Sequence, residues 1–185
     1  MNDFCLVPHP ESAAPGSRRV SVAMTQHRGS EPLCPTTLHL LYVVEGPTTS
    51  LVIPAPAAAE RADELWRTTC LELFVQVGAR DYLEFNFAPS SRWAAYRFSA
   101  YRAGMEPLLL HRSPTIAAET AVNSLTVTVS LELPRGVSLA AIGLAAVVQE
   151  LNGSKSYWAL VHPEGPPDFH NPDCFTARLP PPDNV

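Results

Sequence analysis

Two apolar combs of period two, separated by a short turn, constrain this chain more than any other feature. In TCLELFVQVGARDYLEFNFAPS (69–90), Leu71, Leu73, Val75 and Val77 share one face of an extended segment, and Leu83, Phe85 and Phe87 share one face of the next. If the two segments form a hairpin, both apolar sets must meet the same core, and a slip of one residue would turn a whole strand over. Odd positions therefore pair with odd ones, across an odd-length loop such as Gly78–Ala79–Arg80. Glu72 then stands opposite Asn86 and Phe74 opposite Glu84. Glu72 and Glu84 become diagonal neighbours, roughly 7–8 Å apart. Two carboxylates and an amide share the outer face of the hairpin.

The same alternation recurs along the chain. SLTVTVSLEL (124–133) points Leu125, Val127, Val129, Leu131 and Leu133 one way and polar residues the other. TTLHLLYVV (36–44) and TSLVIP (49–54) read as two more strands, turned around Gly46 and Pro47, and RVSVAM (19–24) as a first strand. Nineteen of the 185 residues are proline, about twice the roughly 5% average. Proline interrupts helices and is tolerated at strand edges and in turns. The expected fold class is all-β, an antiparallel β-sandwich with at most one or two short helices. GVSLAAIGLAAVVQEL (136–151) is helix-like by propensity but broken by Gly143, so a short helical or irregular stretch at 138–142 is expected, then a strand.

A hydrophobic fraction of 46% suffices for a packed core. One domain is expected over 1–180, followed by a proline-rich tail at 181–185. The net charge of −5 argues against nucleic acid. No apolar run is long enough to span a membrane, and the first residues lack the pattern of a secretory signal. A cytoplasmic location is expected, with Cys5, Cys34, Cys70 and Cys174 as free thiols and Cys70 as a small packing residue.

Three passages, RADELWRTTCLELFV (61–75), YLEFNFAPSSRWAAYRFSAYR (82–102) and SYWALVHPEGPPDFHNPDCFTARL (156–179), resemble the DOMON-like superfamily, in its bacterial branch related to family 9 carbohydrate-binding modules. With weaker agreement at TLHLLYVVEG, the resemblance spans nearly the whole chain. It implies a jelly-roll-like antiparallel sandwich, and a strand over 144–151. It also implies a ligand platform: some relatives clamp a sugar between tryptophans, and others bind haem as redox modules. Trp66 matches the family's Leu-Trp position ahead of the Glu-bearing strand, so the resemblance implies an aromatic role there.

Sugars are recognised by aromatic faces, with carboxylates and amides bonding their hydroxyls. Trp66, Trp93, Tyr101 and Trp158, with Glu72, Glu84, Asn86 and Arg97, supply those groups. The same residues are equally compatible with aromatic packing and a solvated sheet face. The spacing of Glu72 and Glu84 would suit an inverting glycosidase. Mid-sheet positions with no apolar pocket for the acid speak against hydrolysis, and no catalytic residue is assigned. In HPEGPPDFHNPD (162–173), His162, Glu164, Asp168, His170 and Asp173 include possible metal donors. The favoured reading has Asp168 and His170 fixing a stiff loop, with His170 neutral. His162, Asp168 and His170 are also ligand-contact candidates. No GxSxG elbow or Gly-rich phosphate loop is present. The expected activity is non-catalytic binding of a small carbohydrate or sugar derivative. The alternatives are a haem module using two of Met105, His162 and His170, or a sandwich that docks a protein partner. The sequence itself requires no cofactor.

Overall fold

The computed structural model describes residues 2–12, 16–28, 35–137, 139 and 141–179. Its strands are β1 (Asn2–Pro8), β2 (Arg19–Arg28), β3 (Thr36–Glu45), β4 (Cys70–Gln76), β5 (Tyr82–Phe87), β6 (Trp93–Phe98), β7 (Glu106–Pro107), β8 (Thr115–Ala121), β9 (Ser124–Glu132), β10 (Ile142–Gln149) and β11 (Lys155–Ala159). Three single 3-10 turns, at Thr48–Ser50, Leu65–Arg67 and Pro172–Cys174, are the only helical elements among the described residues. No helix among those residues is long and apolar enough to cross a membrane.

The strands form one continuous antiparallel ribbon in the order β7-β6-β5-β4-β10-β11-β1-β2-β3-β9-β8. β1 joins the two halves, pairing with β2 over Asn2–Leu6 and with β11 at Val7 and Pro8. The ribbon curls so that the apolar combs of both halves meet. Leu38, Leu40 and Tyr42 of β3 and Val127 and Val129 of β9 share one buried cluster with Leu71, Leu73, Phe85 and Leu144 of the other half. The Tyr42 hydroxyl, fully buried there, donates to the Glu72 carbonyl at 2.9 Å, so it carries no unsatisfied polar group into the core.

The β4–β5 hairpin has the expected register: Glu72 faces Asn86, Leu73 faces Phe85 and Phe74 faces Glu84. The Val77 and Gly78 amides both donate to the Asp81 carbonyl and close the loop over 78–80. β2, β3 and β9 form where alternation places them. TSLVIP (49–54) is a correction. Thr48–Ser50 is a 3-10 turn, and Leu51 makes only an isolated bridge to Glu150. The edge of β3 that a 49–54 strand would have used is occupied by β9, and β2 fills the other edge. β10 is the strand expected after the 138–142 stretch; of that stretch, positions 138 and 140 lie outside the described residues. Cys34 and the 181–185 tail lie outside them too. Cys5, Cys70 and Cys174 are free thiols.

A further layer departs from expectation. The C-terminal segment crosses the outer face of β4, β5, β6 and β10, where Phe169, Cys174 and Phe175 pack with Phe74, Tyr82 and Tyr96. Ala177 pairs with Ile142 through both backbone groups. Because of this strap, the outer face of the hairpin is not a solvated surface: Glu72 is 3% exposed, Glu84 6% and Asn86 1%. At the far end of the sandwich, buried Arg18 meets Glu150 at 2.8 Å and also donates to Ser50 Oγ and the Pro47 carbonyl.

Candidate functional site

The pairing of β11, β10, β4, β5 and β6 sets out a row across the outer face: Ala159, Ala145, Glu72, Asn86, Ala94. The adjacent row reads Gly143, Phe74, Glu84, Tyr96. The polar pair Glu72–Asn86 is therefore flanked by methyl groups, while the neighbouring row carries large rings. This contrast in side-chain size leaves Glu72 and Asn86 low in the face, with aromatic groups standing beside them.

A chain of polar contacts runs through these residues. Asn86 Nδ2 donates to Glu84 Oε1 at 2.6 Å, and Asn86 Oδ1 accepts from the Cys70 thiol at 3.6 Å. Burial, then the nearby Glu72, push the Cys70 thiol well above its usual range, which suits a packing role. Glu84 Oε2 lies 3.9 Å from His170 Nε2. His170 Nδ1 is 2.8 Å from the Tyr82 hydroxyl, whose oxygen accepts from the Arg102 amide. Tyr82 thus bridges the Arg102 amide and His170 Nδ1, with His170 Nε2 turned toward Glu84. Burial, aided by Arg102, lowers the His170 pKa to about 4, so the imidazole is neutral near neutral pH.

Asp168 ties the strap down. Its Oδ1 accepts from Arg102 Nη2 at 2.7 Å and Nε at 3.1 Å, its Oδ2 from the Tyr101 hydroxyl at 2.5 Å, and the His170 amide also bonds it. Burial alone would raise its pKa, but the Tyr101 and Arg102 bonds hold it below the usual carboxylate value. Asp168 and His170 thus fix the loop, and His170 is neutral, as expected from the sequence.

The two glutamates are differently placed. No hydrogen bond reaches the Glu72 carboxylate among the described residues, and burial, then Glu84, push its pKa well above the ordinary range. Burial also raises Glu84, with Asn86 and Arg102 opposing. Arg102, the cation acting on Glu84, is committed to Asp168.

Trp66 sits on the Leu65–Arg67 turn immediately before β4, and the turn packs against β4 and β5. Leu65 anchors it in the aromatic layer. Upstream, Asp63 accepts from the Tyr96 hydroxyl at 2.6 Å and pairs with Arg61. Held in this way, Trp66 remains 48% exposed, with the Arg67 guanidinium 5.3 Å over its ring.

The other sequence candidates lie elsewhere. Trp93 pairs with Phe87 and turns into the main core. Trp158 lies in that same core at 2% exposure, its Nε1 donating to Ser156 Oγ. Arg97 pairs with Leu83, on the face opposite Glu72, and reaches Asp81 at 3.1 Å. His162 Nε2 lies 2.9 Å from the Val7 carbonyl, and its ring meets His9 edge-on, whereas His170 packs against Phe74, Tyr82 and Phe98. Met105 is exposed in the turn before β7. The three haem-ligand candidates therefore belong to different surroundings. Among the described residues no group of three or more His, Cys, Asp or Glu side chains converges as a metal site. The structure adds Tyr82, Tyr96 and Arg102. Tyr82 sits at an even-numbered position, on the same face as Glu84, so the β4–β5 register could have found it; nothing in the sequence marks Arg102.

No protein-family model matches the chain. No curated protein matches it either. The fold is similar to a solved crystal structure of a candidate carbohydrate-binding protein from Bacteroides uniformis. That likeness has a TM-score of 0.56 at 13% identity and covers 95% of this chain and 84% of the other.

Proposed function

We propose that this chain is a non-catalytic, carbohydrate-binding β-sandwich of the DOMON-like type related to family 9 modules. The observation that carries the reading is Trp66: a half-exposed indole, held by a pinned turn, beside the strands that bear Glu72, Glu84 and Asn86. An indole face stacks on the C–H surface of a sugar ring, and the neighbouring carboxylates accept hydrogen bonds from its hydroxyls. The fold similarity to a candidate carbohydrate-binding protein agrees with this reading. Hydrolysis fits less well, because Glu72 and Glu84 lie too deep, at 3% and 6% exposure, to flank a glycosidic bond on both sides.

A thermal-shift screen against mono- and disaccharides tests the proposal, since a ligand bound only by the native state raises the melting temperature. A sugar-dependent rise that disappears in Trp66→Ala is expected. The exposed position predicts that this variant keeps its own stability within about 0.5 kcal/mol. A shift that survives Trp66→Ala would place sugar binding at another site.

A further inference from the structure

We infer that the group received beside Glu72 is a protonated amine, so that the ligand class is an amino-sugar with a free amino group rather than a neutral sugar. This rests on the carbohydrate reading above and narrows it. Three observations lead to it. Glu72 is a carboxylate only 3% exposed, with no donor of its own. Its diagonal neighbour Glu84 uses one oxygen for Asn86 and leaves the other 3.9 Å from His170, beyond hydrogen-bond distance. The groups around the pair supply no free cation: the His170 imidazole has its Nδ1 engaged by Tyr82, and the Arg102 guanidinium is held by two bonds to Asp168.

The arrangement offers acceptors in excess of donors. Glu72 contributes a carboxyl group with no hydrogen bond among the described residues and Glu84 one free oxygen, whereas the one donor bonded to the pair is Asn86 Nδ2. A sugar hydroxyl brings one donor and no charge; an ammonium brings three donors and the missing positive charge. The ring itself would lie outside, against the exposed face of Trp66.

Isothermal titration near neutral pH, comparing glucosamine and galactosamine with glucose, galactose and N-acetylglucosamine, tests the inference on the full chain. The free amines are expected to bind about tenfold to a hundredfold more tightly than their neutral or acetylated counterparts. Glu72→Gln should abolish that preference while leaving the residual, Trp66-dependent affinity for the ring. Because that substitution removes a buried carboxyl group without a hydrogen-bond partner, the variant remains folded, which its melting curve checks. Equal affinity for amino and neutral sugars overturns the amine assignment and leaves the carbohydrate reading standing. An amine preference that survives Glu72→Gln overturns it as well. No binding by any of the sugars removes both readings. Stabilisation by calcium chloride, lost in Glu72→Gln and unmatched by the amines, replaces the amine with a metal ion.

Discussion

Two residues of the candidate site, His170 and Glu72, have their pKa values shifted for the same physical reason, with opposite consequences for pH. His170 is kept neutral by burial, its pKa lowered from 6.5 to about 4. The unfolded chain therefore takes up a proton before the folded one does, and stability falls as pH drops from about 6.5 toward 4, by up to about 3 kcal/mol. His170→Asn keeps an acceptor for the Tyr82 hydroxyl and should flatten that decline in melting temperature measured against pH. Glu72 behaves in the reverse sense. Its pKa is raised in the fold, so its stabilising protonated form is complete below the ordinary value near 4.5 and is lost as pH rises through the folded value. Glu72→Gln should therefore melt higher than the parent at neutral pH, with the difference closing as the solution is acidified. The positions of Glu72, Glu84 and Asn86 were legible in the sequence, because alternation and a shared core fix their register. Their burial was not, because the strap that covers them lies about 80–100 residues further along the chain. The orientation of Trp93 depended on the 88–92 connection, which sets it opposite Phe87; Trp158 depended on the pairing of β11 with β10. Neither pairing is written in a local pattern.

At the scale of elements, β10 is a strand enclosed on every side. β4 and β11 take up both of its edges, and the main core and the strap cover its faces. A strand covered on both sides loses the polar alternation by which strands are recognised, and β8 fails that test in the other direction, since Ile116 is its only buried residue. Gly143 marks where the strap approaches closest. A Cβ there would come within 2.6 Å of Phe175 Cδ1 and 3.2 Å of Phe74 Cβ. Gly143→Ala should push the Phe175 ring off the sheet and destabilise the fold by about 1–3 kcal/mol in urea denaturation. The loosened strap should also become the first site of limited proteolysis.

For the whole molecule, the Arg18–Glu150 pair clasps the start of β2 to the end of β10 and to the turn after β3. Arg18→Ala would leave Glu150 buried without a partner and should cost about 3–5 kcal/mol. Replacing both residues with methionine should recover most of that loss in the same denaturation measurement, because no uncompensated charge then remains inside. The seam at β1 has a consequence in time. Val7 and Pro8 find their partners on β11, at Ala159 and Trp158. During synthesis Asn2–Leu6 of β1 can pair with β2 early, but its Val7–Pro8 end must wait for β11 and stays an open edge while the intervening chain is made. The two halves of the ribbon can each begin to pair as they appear, but the β1–β11 seam that joins them is a late event, and any holdase that meets this protein would meet it in that interval.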